Sequence, residues 1–293
     1  MSRSIPPPGD GRRVRPALHG VPETALWALY YRAAAAARFP GLLSDPMAAK
    51  VLGQCAFPFE ERFGRPLGWA CRYLALRTRF FDREARRFLA RHPQGTVVAL
   101  GEGLDTQFWR VDNGHVRWLT VDLPEVIALR RSVLPHDDRR QTVACSALDP
   151  QWMEEAGRDG DQVLVLAQGL SSYLRPEEAN GLIDACADRF PGATLVLDGL
   201  PGWLTALSRR GLMRIGPYRL PPMRFSMAPH DASRLRDRHP GVDDARHVGP
   251  DLVRDPLAAL LRYGYRLPVV DRALPAHVRI TLSASSPSAP APP

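Results

Sequence analysis

Val97-Val98-Ala99-Leu100-Gly101-Glu102-Gly103-Leu104-Asp105-Thr106 is an apolar run that breaks into Gly-x-Gly, and about twenty residues later a second apolar run ends in Asp122. Glycines let the backbone approach a ligand at the end of a strand, and a carboxylate on the neighbouring strand can accept hydrogen bonds from two ribose hydroxyls. Together the two motifs point to a small molecule that carries a ribose.

Outward from this turn the hydrophobic period alternates. Short apolar runs at 96–100, 118–122, 142–145, 162–167 and 194–198 each have the length of a buried parallel strand. Helical stretches at 104–111, 124–133 and 176–190 lie between them, the last two opening on a proline. Alternating strand and helix predicts an α/β fold with a doubly wound parallel sheet. Residues 22–91 read as helical throughout, with Asp45-Pro46 as an N-cap followed by proline at the first helical position. After Asp198 the alternation lapses. Residues 201–250, rich in Pro, Arg and aromatics, read as an inserted lid. A helix at 251–263 then precedes two strands, 265–270 and 277–282, expected to be antiparallel because their connection is too short for a crossover. The organisation expected is a disordered tail (1–16), a helical cap over substrate and cofactor (17–92), a nucleotide-binding core (93–200), the lid (201–250), the end of the sheet (251–284) and a second disordered tail (285–293).

Composition narrows the class. A chain of 293 residues can bury one large core. The net charge of +8 is carried by scattered arginines, with Lys50 the sole lysine, and no basic stripe interleaved with aromatics marks a nucleic-acid surface. Cys55, Cys71, Cys145 and Cys186 lack metal-ligand spacing and sit in apolar stretches, as core thiols in a reduced compartment do. The N-terminus has no signal-peptide core, and no run reaches the roughly 18 apolar residues of a membrane span, so a soluble cytoplasmic protein is expected, with no metal, membrane or nucleic-acid partner.

The turn leaves two ligands open. A dinucleotide fold wants a third glycine where this chain has Thr106, which disfavours NAD. S-adenosylmethionine fits at least as well, having ribose hydroxyls but no pyrophosphate that needs a helix N-terminus. A bland alternative stands beside both: Gly-x-Gly as a plain tight turn, and Asp122 as the N-cap of the helix that follows.

The segments TALWALYYRAA, LLSDPMA, LALRTRFFDREARRFL, VVALGEGLDTQFWRV, VDLPEVIALRRSVLP, ALDPQW and LVLAQGLSSYL, in that order, resemble the leucine carboxyl methyltransferase family, whose bacterial members include O-methyltransferases of polyketide and related pathways. The resemblance implies a class I methyltransferase fold, Rossmann-like, with a mostly parallel seven-stranded sheet, an N-terminal helical region and an inserted cap. It also implies S-adenosyl-L-methionine as cofactor. Arg77 matches the arginine that pairs with the methionyl carboxylate, Gly101 and Gly103 the turn beneath the methionine moiety, and Asp105 the polar position after it. Asp122, with Leu123 beside it, matches the ribose-binding acid. Ser146 and Ala147 stand where the family usually has Asp-Leu at the adenine amino group, and Gln168 where eukaryotic members have a glutamate near the cofactor's ammonium. Both departures exchange a charge for a neutral hydrogen bond. Tyr173, Trp203 and Tyr30 are candidates for the acceptor pocket.

Methyl transfer from a sulfonium is an in-line displacement, accelerated mainly by positioning. A carboxylate acceptor arrives ionised and needs no base, whereas a phenol near pKa 10 does. Glu102 is the one obvious base candidate at the strand ends, with His230, His239 and His247 in the lid as further ones. The expected activity is O-methylation of a small-molecule carboxylate, of natural-product or polyketide type, to a methyl ester. Methylation of a phenolic or alcoholic hydroxyl, and cofactor binding without transfer, are the alternatives.

Overall fold

The computed structural model describes residues 13–157, 162–250 and 253–284. The tails read at 1–12 and 285–293 lie outside the described residues. Five strands, β1 (Thr96–Leu100), β2 (Arg117–Asp122), β3 (Arg140–Ala144), β4 (Val163–Ala167) and β5 (Thr194–Gly199), run parallel. Beyond them come a small hairpin of β6 (Arg214–Ile215) and β7 (Tyr218–Arg219), then β8 (Val242–His247) and β9 (Ala276–Leu282). The main sheet has seven strands in the order β3-β2-β1-β4-β5-β9-β8, with β9 antiparallel to both of its neighbours.

The helices are α1 (Thr24–Arg38), α2 (Pro46–Gln54), α3 (Phe59–Phe63), α4 (Gly68–Leu89), α5 (Gln107–Val111), α6 (Pro124–Val133), α7 (Gln151–Ala156), α8 (Pro176–Arg189), α9 (Gly202–Arg209), α10 (Arg234–Arg238) and α11 (Pro256–Gly264). Every residue of β1 and β4 is buried, so these strands read as unbroken apolar runs rather than alternations. Val97, Ala99, Leu164 and Leu166 pack with Phe80, Phe81 and Phe88 of α4. Val98, Leu100, Val165 and Ala167 pack on the opposite face with Trp152 of α7 and Ile183 of α8. A third apolar cluster joins α1, α2 and the first half of α4 to α6, the hairpin and α11.

Two elements differ from the sequence reading. Residues 265–270 form turns, not a strand: Leu267 and Val270 donate their N–H groups to Gly264 and Leu267, Pro268 has no N–H to give a ladder, and Val269 is 83 % exposed. The strand lies instead at β8, inside the stretch read as lid. Its sequence, VDDARH, hides the signal, because on this edge strand only Val242 and Ala245 are buried and the register shifts between Val242 and Asp244. Residues 13–16, read as part of the disordered tail, are also anchored. Val14 donates to the Gln54 carbonyl at 2.9 Å and accepts from the Ala56 N–H at 2.7 Å.

A buried charge network fastens the helical region to the end of β1. Asp45 caps α2 by accepting from the Ala48 N–H at 3.0 Å, as Asp45-Pro46 predicts. The same carboxylate accepts from Arg32 of α1 at 3.1 Å, Arg110 of α5 at 2.7 Å and the Thr106 hydroxyl. Arg110 also holds Asp82 of α4 through two bonds, at 2.8 and 3.0 Å, and Asp105 at 2.9 Å. Burial opposes ionisation of both of these acids. At Asp105 the fields of Arg32 and Arg110 more than offset it and the pKa falls below the usual carboxylate range, whereas at Asp82 burial wins and the pKa rises. Removing Arg110 strips Asp82 of its hydrogen-bonded partner and leaves Asp45 and Asp105 to share Arg32. Arg110→Ala is therefore expected to lose about 3–5 kcal/mol of stability, and Arg110→Lys most of that because an ammonium cannot form the planar fork. Urea unfolding of the two variants checks this, and a midpoint unchanged in both would contradict it.

Candidate active site

At the carboxyl ends of β1, β2 and β4 a cavity of about 310 Å³ opens between the sheet and α1. Its floor is the turn after β1. Gly101 and Gly103 take φ of +60° and +57°, a conformation that L side chains rarely adopt. A Cβ on Gly103 would stand 3.0 Å from the Ala25 Cβ of α1, and one on Gly101 would stand 3.1 Å from Leu170 Cδ1. The turn is thus a glycine cradle that side chains would fill.

Arg130 of α6, fully buried, clamps this turn from behind. Its guanidinium donates to the Gly103 carbonyl at 2.6 Å, the Asp105 carbonyl at 3.0 Å and the Glu102 carboxylate at 2.9 Å. Glu102 also accepts from the Thr120 hydroxyl. The acid that the sequence offered as a base is therefore ion-paired with Arg130 and tied to β2 through Oε2, while its Oε1 is buried without a partner.

Asp122 ends β2 beside the cradle. One oxygen accepts from the Gly103 N–H at 2.7 Å, the other from the Leu123 N–H at 2.8 Å. The side chain makes no capping bond to α6, so the N-cap alternative does not hold. Burial raises the Asp122 pKa, with the two amides pulling against that rise.

All nine residues expected at the cofactor, Arg77, Gly101, Gly103, Asp105, Asp122, Leu123, Ser146, Ala147 and Gln168, line this one cavity, and so does Tyr173. The carboxylate of Asp105 is engaged by Arg32 and Arg110. Ser146 turns its Oγ to the Leu148 N–H at 3.2 Å. Gln168 has a buried Oε1 with no protein donor, an acceptor left for a ligand. Burial pushes the Tyr173 phenol up to about 12.

The structure places the other two acceptor candidates outside the cavity. On α1 the cavity takes Thr24, Ala25, Trp27, Ala28 and Arg32, the helical spacing of one face. Tyr30 lies on another face and packs against Phe59 and Phe63, with ring centroids 5.4 and 6.4 Å away. Trp203, on the first turn of α9, is half exposed and donates its indole N–H to the Ala273 carbonyl at 3.0 Å. The three histidines are elsewhere too. His239 pairs with Asp184 of α8 at 2.7 Å, His230 lies 3.3 Å from Asp231, and His247 packs at a tilt against Tyr265 with its pKa lowered to about 4 by burial.

Sequence reasoning missed Arg32, Arg130 and Asp198. An arginine inside an Ala-rich apolar helix was a visible signal for Arg32. Asp198 stands at the second-last position of β5 much as Asp122 ends β2, and that parallel was there to be read.

A seven-stranded sheet with this order, one antiparallel strand and a ligand cradle after β1 defines a class I S-adenosylmethionine-dependent methyltransferase. Residues 25–187, more than half of the chain, match the family described as leucine carboxyl methyltransferase, and the chain belongs to that family. Among its relatives is the tetracenomycin polyketide synthesis O-methyltransferase TcmP of Streptomyces glaucescens, 31% identical over 187 residues that cover 64% of this chain and 68% of the relative. A putative S-adenosyl-L-methionine-dependent methyltransferase of Mycolicibacterium paratuberculosis is 28% identical over 80% of this chain and 82% of its own length. The solved structure of an O-methyltransferase family protein from Burkholderia thailandensis aligns over 91% of this chain and 73% of that one, with 17% identity and a TM-score of 0.45.

The cradle generates a direct test. Gly103→Ala forces alanine into the left-handed region, at a cost of about 1–3 kcal/mol, and presses its methyl on Ala25. A lower unfolding midpoint together with weaker binding of S-adenosylhomocysteine by calorimetry is the expected result.

Proposed function

We propose that this methyltransferase esterifies the carboxylate of a small natural-product or polyketide-type acid. The observation that carries the reading is the state of the acids and bases around the cavity. Glu102 is bound to Arg130, Asp105 to Arg32 and Arg110, and the Tyr173 phenol, with its pKa near 12, stays protonated at neutral pH. The residues lining the cavity include neither His nor Lys. An acceptor that arrives already ionised needs none of these groups, whereas a phenol requires a base poised near its operating pH. One relative named for polyketide O-methylation supports an oxygen acceptor. A hydroxyl acceptor is the second reading, supported by the same relative.

S-adenosylmethionine supplies an electrophilic methyl group on a sulfonium. We assign Arg77 to its carboxylate, the Gly101–Gly103 turn to its methionine chain, Asp122 and Leu123 to the ribose, Ser146 and Ala147 to the adenine, and the unpartnered Gln168 Oε1 to the ammonium. Tyr173, with Trp27 and Thr24 of α1, is assigned to the acceptor side. The helical residues 17–92 and the stretch 201–250 are read as what shapes that side, and a small molecule as the partner. Among the described residues no helix is long and apolar enough to cross a membrane. The four free buried thiols suit the reducing cytoplasm.

Incubation with labelled cofactor and a panel of carboxylic acids and phenols tests the acceptor class. The expected product is alkali-labile and forms at a rate nearly independent of pH between about 6 and 9, because a carboxylate near pKa 4 is ionised throughout. An alkali-stable product whose rate climbs with pH would replace the ester by an ether.

Asp122→Ala removes the acceptor assigned to both ribose hydroxyls. Hydrogen bonds to a charged group are worth about 1.5–3 kcal/mol, so affinity for S-adenosylhomocysteine should fall at least about tenfold. Burial raises the Asp122 pKa, so wild-type affinity should weaken on acidification before an ordinary aspartate would protonate. Calorimetry across a pH series reads both effects.

A further inference from the structure

Asp198 is buried at the carboxyl end of β5 and is absent from the cavity lining, yet it touches two groups that belong to the lining. Oδ2 accepts from Arg77 Nη1 at 3.3 Å and Oδ1 accepts from the Gly169 N–H at 2.6 Å. Gly169 follows Gln168 and has φ of +71°, and a Cβ there would lie 3.3 Å from the same Arg77 Nη1. Arg77 therefore rests on the bare backbone of the turn that carries Gln168, and Asp198 ties both together. The Arg77 Nε is buried without a partner, and its contact with Asp198 is a single bond rather than a bidentate fork. The rest of the guanidinium stays available to the cavity it lines.

The phenols of Tyr73 and Tyr173 also face Arg77 and Asp198, but burial raises both of their pKa values and keeps them neutral, so the acid that pairs with Arg77 is Asp198. His277, its register partner on β9, is buried against Phe80, and burial lowers its pKa to about 3, so it is neutral. Neither ring nitrogen of His277 is hydrogen-bonded. Burial raises the Asp198 pKa and the Arg77 charge acts against that rise, as expected of an acid whose counter-ion is Arg77.

We propose that Asp198 is a positioning residue for the amino-acid end of the cofactor. It aims Arg77, and through Gly169 it fixes the backbone next to Gln168, while leaving the nucleoside end of the cavity to Asp122 and Ser146. This rests on the assignment of Arg77 and Gln168 to that end. It goes further in naming the group that orients them, and in predicting that the two ends of the site respond separately.

The test compares two probes by calorimetry. S-adenosylhomocysteine carries the amino-acid end, and 5′-methylthioadenosine is the same nucleoside thioether without it. Asp198→Asn keeps the shape and an acceptor for the Gly169 N–H but removes the charge that holds Arg77. It should weaken S-adenosylhomocysteine by roughly tenfold or more, the scale of one charge-assisted hydrogen bond, and leave 5′-methylthioadenosine within about threefold. Arg77→Ala should give the same split, and the double variant should lose little beyond either single one. Equal loss for both probes would mean a merely structural role. Unchanged or tighter binding of S-adenosylhomocysteine would mean that Asp198 only neutralises Arg77. Either result overturns the proposal. A split in Arg77→Ala with none in Asp198→Asn overturns the Asp198 role and leaves the site assignment standing, whereas no split in Arg77→Ala overturns the assignment itself. A thermal melt of each variant, expected near wild type for Asp198→Asn, separates these outcomes from loss of fold.

Discussion

The carboxylate of Asp45 is the constraint on which the rest of this molecule depends. It caps α2, receives Arg32 from α1, and receives Arg110 and Thr106 from the segment directly after the glycine turn. Arg110 then carries the connection to Asp82 on α4. Four helices and the end of β1 are thereby fixed around one buried acid. Buried ion pairs are poor evidence of net stability, since desolvation consumes most of the attraction. Their directional bonds instead specify one arrangement, here the distance between α1 and the cradle. Since Ala25 and Trp27 of α1 form a wall of the cavity, the network sets its width.

Much of this was legible in the chain, and the legible part follows from burial on both faces. β1, β2, β4 and β5 announce themselves as apolar runs because helices cover both sides of the sheet. Asp122 and the two glycines were readable because their chemistry is local: a turn needs positive φ, and an acid sits one strand away. β8 was not legible, since an edge strand with only Val242 and Ala245 inward has no period to detect. Residues 265–270 misled for the converse reason. They are apolar but exposed, and Pro268 denies them a ladder.

The site residues divide along the same line. Side chains that touch the cavity from strand ends could be ordered by motif, and the cavity lining collects them in one place. Side chains that act through others could not. Arg130 reaches the turn from α6, 27 residues after Gly103 in sequence, and Asp198 meets Arg77 across 121 residues. Tyr30 and Trp203 failed as cavity residues because aromatic character says nothing about which helical face a ring occupies. For Tyr30 the phase of α1 decided it, by giving the cavity residues 24, 25, 27, 28 and 32.

These divisions bear on the chemistry. The resemblance implies an aspartate at the adenine end and, in eukaryotic members, a glutamate at the ammonium end, and this chain has Ser146 and Gln168 at the matching positions. A buried carboxylate does lie nearby: Asp198 stands one strand beyond Gln168 and accepts from the backbone N–H that follows it. Charges near the reacting groups are likewise withdrawn into pairs behind the wall, Glu102 with Arg130 and Asp105 with Arg32 and Arg110. Glu102 and Asp105 thus meet the cavity with their charges paired, and Asp122 meets it with both oxygens accepting backbone amides. With neither His nor Lys in the lining, the proposed preference for an acceptor that brings its own charge rests on that pairing.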